Sequence, residues 1–414
     1  MTEKMKPSGI GWLGDIPENW NIKPLKYLAE CNQRVLFENT RPDYRFRYVD
    51  IGSVSYENGI EEYQEMAFED APSRARRLVS VGDTIISTVR TYLKAIALVD
   101  DEKDVVVSTG FAVYHPREKM DPRFLYYFCK SEGFVQEIDK LSYGIAYPAI
   151  NTDLLNRIVV SYPKLSEQGT IADFLDAQCA KIDSVIADIE KQIETLQKYK
   201  KSVISEVLRK GFKEKSVAKN SGIDIVGEIG ESWSIKRLKY LCKIQTGSQD
   251  TQDAVDEGAY PFYVRSPIVE RIDKYVFDGE AVLMAGDGVG AGRIFHYVNG
   301  KFGCHQRVYI INSLQQITGK YLYYYMQSFF SLEVEKGSAK STVDSIRLPM
   351  LQNFMICYPT ITEQEEIVEY LDEKCNDIDE IILRKKEALD VIQQHKKSLI
   401  YEYVTGKKRV TEVN

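Results

Sequence analysis

The residues most suggestive of chemistry are the glycine-rich run VLMAGDGVGAG at positions 282–292. Four glycines at alternate positions follow an apolar stretch, and such a run can cradle a phosphate when a helix N-terminus follows it. The next residues, RIFHYV, have the alternating pattern of a strand. The sequence therefore favours a flexible hairpin loop that can approach a phosphate backbone closely, and it weakens a dinucleotide or S-adenosylmethionine site.

Other reactive side chains lack the partners that catalysis or metal binding needs. Cys304-His305 could supply a nucleophile or a metal ligand, but the four histidines have no metal-ligand spacing and the seven cysteines form no C-x-x-C pair. The chain has neither a G-x-x-x-x-G-K-[ST] phosphate loop nor the N-P-P-Y or D-P-P-Y tetrapeptide with which amino-methyltransferases hold a flipped base. We therefore expect no catalytic residues, no metal and no cofactor in this chain.

Length and composition predict a soluble protein of two or three domains. The chain has 414 residues, of which 44% are hydrophobic and 28% charged. No stretch approaches the roughly 20 apolar residues that span a bilayer, and the start, MTEKMKPSGIGW, has no apolar signal region. The cytoplasm is the expected location.

The net charge of −7 argues against simple electrostatic binding of nucleic acid, because phosphate contacts need Lys and Arg. The local charge differs from this sum. Residues 72–94 contain five basic side chains and one acid, and residues 289–307 contain three basic side chains and no acid. Because binding depends on the local field, two basic segments on an acidic chain remain compatible with nucleic-acid recognition.

The elements that must position these segments occur twice. Residues 8–30 and 221–243 are identical at 13 of 23 positions at an offset of 213, and residues 162–186 match residues 358–382 at an offset of 196. The regions between the copied ends therefore differ in length by 17 residues. The framework of each half is copied, and the middle has diverged.

Each half ends in a predicted long helix with an apolar 3/4 spacing, which is typical of a coiled coil. The two helices, of about 40 residues each, are expected to pair in an antiparallel coiled coil if the halves are related by a pseudo-twofold axis. The alternative is that each apolar stripe packs on its own domain. The seam positions assigned to this coiled coil and partner interface are Ile182, Ile189, Leu196, Val203, Ile378, Ile392 and Leu399.

The middle of each half predicts a mixed α/β (α+β) fold. In the first half a meander of strands is expected over residues 84–114, followed by a helix with Asp121 as its N-cap and Pro122 as its first residue. In the second half Asn299-Gly300 predicts a type I′ hairpin turn. The Tyr-rich segment from Tyr321 onward is expected to be a helix whose aromatic side chains lie in the core.

These signatures together resemble the specificity (S) subunit of type I restriction–modification systems, over essentially the whole chain. The motifs that carry the resemblance are the G-x-I-P-x-x-W start at residues 14–20, the P-x-x-x-E-Q segments at residues 163–168 and 359–364, and the repeated Leu-Asp and Ile-Asp pairs of the long helices. The second start departs from the pattern, because Gly230 stands where the first has Pro17.

The resemblance implies a non-catalytic DNA-recognition subunit. Each α/β domain would be a target-recognition domain for one half of a split, asymmetric site in double-stranded DNA. The paired helices would act as a spacer and as the docking surface for two modification (methyltransferase) subunits, which restriction (endonuclease/translocase) subunits join. S-adenosylmethionine, ATP and Mg would be bound by those partners.

The domain boundaries follow the repeat. Target-recognition domains are expected at residues 1–162 and 213–358, and spacer helices at residues 163–212 and 359–414. Two other functions remain open: a stand-alone S-adenosylmethionine-dependent DNA methyltransferase that uses the glycine run, and a dimerising scaffold without a DNA function.

Candidate DNA contacts are the donors and acceptors of the predicted loops, since base recognition in the major groove needs such groups. For each residue the alternative is a solvated charge or a phosphate contact that carries no sequence information. In the first domain the candidates are Arg90, Lys94, Tyr143, Tyr147 and Asn151. In the second domain they are Arg293, His305, Gln306, Arg307, Lys340 and Ser341.

Overall fold

The computed structural model describes residues 4–101, 104–211, 217–338 and 345–410. The chain divides into two compact units. The first unit contains Met1–Ile189 and Glu387–Asn414, and the second contains Glu190–Lys386. Each unit therefore combines a β-rich domain with a part of each long helix.

The first unit contains short strands and three short helices before its long helix begins. The strands are β1 (Met5–Pro7), β2 (Asp15–Pro17), β3 (Asn21–Pro24), β4 (Ala29–Cys31), β5 (Arg45–Val49), β6 (Val54–Ser55), β7 (Gly59–Ile60), β8 (Gln64–Ala67), β9 (Ala75–Leu78), β10 (Thr84–Ser87), β11 (Ile96–Leu98), β12 (Val105–Ser108), β13 (Phe111–Pro116) and β14 (Val159–Tyr162). The helices are α1 (Pro122–Lys130), α2 (Glu132–Leu141), α3 (Thr152–Leu155) and the long α4 (Leu165–Lys210).

Two four-stranded sheets form the body of this domain, in the orders β11-β10-β13-β4 and β8-β5-β12-β9. The meander predicted over residues 84–114 is therefore wrong at its third strand, because β12 leaves β10 and β11 and pairs in parallel with β5. The reason lies in the run Val105-Val106-Val107, which is apolar on both faces. Val105 and Val107 are buried in one apolar cluster and Val106 in another, so β12 lies between two cores.

Helix α1 covers the first of these sheets and begins where the sequence predicted. The Asp121 carboxylate accepts hydrogen bonds from the backbone N–H groups of Arg123 (2.9 Å) and Phe124 (3.0 Å), which confirms its role as the N-cap. Phe124 and Phe128 are fully buried with residues of β10 and β13. The helix is thus fixed both at its start and along its apolar face.

The second unit repeats this plan. Its strands are β15 (Ala218–Asn220), β16 (Glu228–Gly230), β17 (Ser234–Arg237), β18 (Lys243–Thr246), β19 (Tyr260–Tyr263), β20 (Glu270–Ile272), β21 (Phe277–Ala285), β22 (Phe295–Cys304), β23 (Val308–Asn312) and β24 (Met355–Tyr358). Its helices are α5 (Gly319–Tyr325), a π-helical turn (Met326–Phe330), α6 (Ser331–Ser338), α7 (Leu348–Asn353) and the long α8 (Ile361–Val404). Most of the aromatic residues predicted to lie in the core are buried, whereas Tyr323 is half-buried; the buried ones are Tyr321, Tyr324, Tyr325, Phe329 and Phe330.

The strand order shows that the diverged middles share part of their topology, although the first unit has two four-stranded sheets and the second has one six-stranded sheet. The second unit has the order β18-β23-β21-β22-β19-β20, and its first four strands correspond to β4-β13-β10-β11 of the first unit. Strand β22 also pairs in parallel with β19, as β12 does with β5. The predicted mixed α/β fold with an internal repeat is confirmed, and the repeat extends through regions whose sequences no longer match.

The hairpin turn predicted at Asn299-Gly300 is wrong. Both residues lie inside β22, where Asn299 pairs with Glu280 and Gly300 pairs with Gly279. A type I′ turn needs a positive φ at both central residues, and Asn299 is not among the residues with positive φ. The pairing continues on both sides, so the β21–β22 hairpin instead turns in the glycine-rich loop of residues 286–294, as the alternation after those glycines predicted.

A buried glutamine ties the start of α4 to the domain before it. The Gln168 side chain is fully buried. Its Oε1 accepts a hydrogen bond from the Asp121 N–H (2.8 Å), and its Nε2 donates to the carbonyls of Lys119 (3.1 Å) and Pro163 (3.0 Å). One amide thus satisfies three backbone groups, and its bond to the Pro163 carbonyl is fully buried.

The second unit contains the same arrangement. Gln364 Oε1 accepts from the Thr318 N–H (2.8 Å), and Gln364 Nε2 donates to the carbonyls of Gln316 (3.0 Å) and Pro359 (2.9 Å). The preceding glutamate is also used, because Glu167 and Glu363 each accept the indole N–H of a tryptophan, Trp20 and Trp233, at 3.2 Å. The Glu-Gln signature therefore serves to attach the domain to its helix.

The two long helices lie antiparallel within each unit. In the first unit Asp183 of α4 pairs with Lys396 of α8 (2.5 Å), while the earlier Phe174 packs on the later Tyr403. In the second unit Lys200 pairs with Asp379 (2.5 Å). The predicted pairing of the helices is confirmed, and Lys396 and Lys200 each form an ion pair with the opposite helix.

The predicted seam residues differ in how they are covered. Ile378 is buried, and the others are half-buried: Ile182, Ile189, Leu196, Val203, Ile392 and Leu399. The ends of the helices enter the domain cores, with Leu175 and Val404 in the first unit and Leu208 and Leu371 in the second. The seam thus pairs the helices along its middle and packs on the β-rich domains at its ends. Within the described ranges, none of the helices is long and apolar enough to cross a membrane.

Replacing Gln168 with Ala should lower the free energy of unfolding by about 1–3 kcal/mol, because the buried Pro163 carbonyl is left unpaired while the two part-buried backbone groups can bind water instead. Gln364→Ala should cost a similar amount, since its contacts are the same. Urea unfolding followed by circular dichroism measures both.

The matched control is Gln197→Ala, which removes an exposed glutamine from the same helix and should change stability by less than about 0.5 kcal/mol. Equal losses for Gln168→Ala and Gln197→Ala would show that the buried amide does not fix the helix start.

Candidate nucleic-acid interface

In the first unit the hairpin loop between β10 and β11 carries two of the predicted contacts in a strained conformation. Arg90 (φ 52°) and Lys94 (φ 50°) are both left-handed and flank a single 3-10 turn, Thr91–Leu93. This conformation costs a residue other than glycine about 1–2 kcal/mol. Such strain is concentrated at functional sites, so the loop is a candidate for function as well as for structure.

A second loop, residues 142–151, lies against this hairpin. The Thr88 carbonyl accepts the Ile150 N–H (2.9 Å), and Val89 forms a bridge with Ala149. The Arg90 guanidinium lies 5.5 Å from the centre of the Tyr147 ring, which is exposed. The structure therefore brings Arg90 and Tyr147 together, and the exposed Lys94 and Tyr143 lie on the same two loops.

Asn151, at the end of the second loop, has a structural role. Its Oδ1 accepts the Asp153 N–H (2.8 Å) and caps α3. Its carbonyl oxygen is thus engaged, although the side chain is exposed. Only the amide NH₂ remains for a contact with DNA.

In the second unit the glycine-rich loop 286–294 has the same backbone arrangement. Gly288 (φ 71°) and Gly292 (φ 64°) are left-handed at the spacing of four that separates Arg90 from Lys94. The Gly286 carbonyl accepts the Ile346 N–H (2.7 Å), and Asp287 forms a bridge with Ser345. Both units therefore build the candidate surface on one scaffold, with glycines in the second unit where the first has strained cations.

Two arginines share one carboxylate beside this loop. Asp287 Oδ1 lies 3.1 Å from Arg265 Nη1, and Asp287 Oδ2 lies 2.5 Å from Arg307 Nη1. We call these three residues the arginine cluster. Partial burial would raise the pKa of Asp287, but hydrogen bonds from Arg307 and then Arg265 outweigh it and hold that pKa below its usual value. The cluster is thus fully ionised near neutral pH, with a net charge of about +1.

Two further candidates, His305 and Gln306, directly precede Arg307 and differ in their exposure. Gln306 is exposed and donates its amide to Asp250 (2.9 Å). His305 is only 3% exposed, and its Nδ1 accepts the backbone N–H of Arg307 (3.0 Å). Burial lowers the pKa of His305, and the charge of Arg265 lowers it further. We therefore replace the predicted base contact of His305 with a structural role, because a neutral, buried imidazole orients the Arg307 backbone.

The other predicted contacts are placed differently. Arg293 is exposed on the glycine-rich hairpin. Lys340 and Ser341 lie outside the described residues. Among the residues that the structure describes, no three His, Cys, Asp or Glu side chains form a group that could hold a metal ion.

Sequence reasoning missed Arg265 and Asp287. Arg265 follows β19 by two residues, in a region where the two halves share no recognisable identity, and Asp287 was considered only as part of a glycine run. The two hairpins align when the left-handed Gly288 and Gly292 are matched to the left-handed Arg90 and Lys94, but a sequence does not show φ angles.

Comparison with known proteins agrees with this duplicated plan. The family model described as type I restriction modification DNA specificity domain matches residues 17–195 and again 230–390. Together these ranges cover most of the chain. The chain belongs to this family.

Individual relatives in the family match along much of their length. The chain is 28% identical over 340 residues to the type I restriction enzyme MjaVIII specificity subunit of Methanocaldococcus jannaschii, which covers 76% of each chain. It is 24% identical over 438 residues to the putative MjaX specificity subunit of the same organism, which covers 96% of each. The family is defined by DNA specificity rather than by a catalytic activity.

A solved structure supports the fold. A chain from work on complex assembly and conformational transition of the type I R-M system superimposes with a TM-score of 0.75 at 23% identity. The match covers 95% of this chain and 99% of that one. At this identity the likeness concerns the fold alone.

Substitutions at Asn151 should separate its capping role from a contact with DNA. Asn151→Ala should lower the stability by about 1 kcal/mol, because the α3 cap is lost. Asn151→Asp keeps the cap and should leave the melting temperature unchanged, but its added negative charge should weaken DNA binding by the assembled complex. Thermal unfolding and DNA titration measure the two effects, and unchanged DNA affinity for Asn151→Asp would remove this residue from the interface.

Proposed function

We propose that each β-rich domain recognises one half of a split, asymmetric site in double-stranded DNA, so that the chain sets the sequence specificity of a type I restriction–modification complex. The observation that carries this proposal is one backbone scaffold, present twice, that displays different side chains. Arg90 and Tyr147 occupy it in the first unit, and Arg265, Asp287 and Arg307 occupy it in the second. A duplicated scaffold with different donors suits two different half-sites.

The long helices suit the role of spacer and docking surface. Helix α4 has 46 residues, which corresponds to roughly 69 Å at 1.5 Å per residue. Half-sites that present the same groove face lie roughly 34–36 Å apart, so a helix of this length can span them. We propose that two modification subunits dock on these helices, where the seam residues pair the helices, and that restriction subunits join that assembly.

The chemistry in this proposal belongs to the partners. S-adenosylmethionine would be bound by the modification subunits, and ATP and Mg by the restriction subunits. Sharing the DNA among several subunits also reconciles recognition with the net charge of −7. An assembly of this kind acts on cellular DNA, and we therefore propose a cytoplasmic location.

The structure weakens the alternative of a stand-alone methyltransferase. Its motif was the glycine-rich run, and that run connects strand β21 to strand β22. A phosphate site of the kind considered needs a helix N-terminus after the glycines. The loop therefore serves better as part of the recognition surface.

Exchanging residues 1–160 for the corresponding part of another specificity subunit should change one half of the methylated site and leave the other half intact. Each half would depend on the side chains of its own domain. Methylome sequencing of cells that carry the chimera with its modification subunits measures this directly. A change in both halves, or in neither, would contradict the assignment of one domain to each half-site.

Replacing Arg90 with Ala should weaken specific binding of the assembled complex by about 1–3 kcal/mol if its guanidinium makes a bidentate contact with a base. Fluorescence anisotropy with specific and scrambled duplexes gives the difference. Arg41→Ala is the matched control, because Arg41 is an exposed arginine of the same unit that pairs with Asp43 in a turn. An Arg90→Ala complex that methylates its site at the wild-type rate would exclude this contact.

A further inference from the structure

Three positions of the shared backbone scaffold hold charged side chains in the second unit and uncharged residues in the first. In the second unit these positions hold the arginine cluster. The equivalent positions in the first unit hold two apolar side chains and a glycine: Ile51, Val89 and Gly110. The equivalence follows from backbone contacts and strand ends, not from sequence identity.

The contacts that define the equivalence occur in pairs. Val89 bridges Ala149 as Asp287 bridges Ser345. The Gly110 carbonyl accepts the Thr88 N–H (2.8 Å), as the Arg307 carbonyl accepts the Gly286 N–H (2.9 Å).

The third position follows from the strands. Ile51 and Arg265 each lie two residues beyond the corresponding strands, β5 and β19. These three positions also lie together in the first unit, because a Cβ atom on Gly110 would be 2.5 Å from Ile51 Cδ1 and 3.2 Å from Val89 Cγ2.

We propose that these three positions contribute to the difference in base recognition between the two domains, and that Arg265 and Arg307 each contact a guanine in the half-site of the second unit. This inference rests on the proposed function. A guanidinium group fits the O6 and N7 acceptors of guanine in a bidentate manner, which makes arginine the commonest specific partner of that base. The half-site of the second unit should therefore contain two G·C pairs.

Asp287 acts in this proposal as a positioning residue. Its carboxylate is only 14% exposed, and each of its oxygens is taken by an arginine. The two guanidinium groups are 41% and 62% exposed, so the N–H groups not bound by Asp287 can reach a base. Because the carboxylate fixes both side chains before DNA arrives, less rotamer freedom is lost on binding.

The first unit offers different chemistry at the same place. Ile51 and Val89 have no donors or acceptors in their side chains, and Gly110 has no side chain. The exposed surface of Val89, 38% of its maximum, fits the methyl group of thymine, which apolar side chains contact in the major groove. We expect the half-site of the first unit to lack the two guanines that Arg265 and Arg307 contact in the other half-site.

The test compares charge-preserving variants in the complete complex with its modification subunits. Arg265→Lys and Arg307→Lys retain the positive charge but cannot form the planar bidentate contact. Each substitution should reduce the affinity of the complex for its recognition sequence roughly 5- to 150-fold. Affinity for a scrambled duplex and its salt dependence should stay unchanged, and methylome sequencing should show one relaxed guanine for each variant.

Asp287→Asn tests the positioning role. Removing a negative charge should raise affinity for the scrambled duplex, while affinity for the specific site falls. A merely structural residue would not move the two affinities in opposite directions. In an Arg265→Ala, Arg307→Ala background, Asp287→Asn should cause no further loss of specificity. Lys243→Ala, an exposed lysine of β18 in the same unit, is the control for a general change in charge.

The outcomes separate this inference from the proposed function. A wild-type complex without sequence-specific binding would overturn the proposed function itself. A wild-type complex that is specific, but whose Arg265→Lys and Arg307→Lys variants keep the full methylation motif, would overturn only the arginine assignment. A half-site for the second unit without guanine would do the same. Circular dichroism melting curves equal to wild type confirm that each variant is folded.

Discussion

The arrangement of each unit depends on a single buried amide at the start of its long helix. Gln168 and Gln364 each bind three backbone groups, one at the start of the long helix and two in the segment that enters α1 or α5. A backbone group buried without a partner is costly, so the helix has one favourable direction relative to its domain. Within each unit, the part of the seam that follows and its ion pair inherit this direction. The indole contacts of Glu167 and Glu363 reinforce it at the surface of the same junction.

The fixed framework explains how the recognition surface could diverge. The hairpin loops stay in place through backbone hydrogen bonds, such as that from Ile150 to Thr88 and that from Ile346 to Gly286, which do not depend on side-chain identity. Left-handed positions are occupied by glycine in one unit and by strained cations in the other. The side chains on this scaffold are therefore free to change from apolar to charged without altering the fold. A chain with a net negative charge can in this way present two local basic surfaces.

Much of the framework, but less of the site, was predictable from the sequence. The copied ends predicted the long helices, and Asp121-Pro122 predicted a helix start, because these signals are local. The turn predicted at Asn299-Gly300 was wrong, because pairing with a strand distant in sequence outweighed the local turn propensity. The all-apolar run Val105–Val107 predicts a strand but does not show which sheet that strand joins. The residue type of His305 suggested a contact with DNA, whereas only the fold shows that its side chain is buried. Arg265 and Asp287 meet through residues far apart in the chain, which no spacing rule anticipates.

The division of the chain has a consequence for the order of folding. The second unit is one continuous segment, residues 190–386, whereas the first needs residues 387–410 to complete its core with Ile400 and Val404. During synthesis, the first unit must wait for the end of α8, whereas the second unit can close sooner. Domains generally fold in order from the N-terminus, and here the continuity of the segments reverses that order. The apolar surface of the first unit that packs on Ile400 and Val404 thus stays uncovered until these residues have been synthesised.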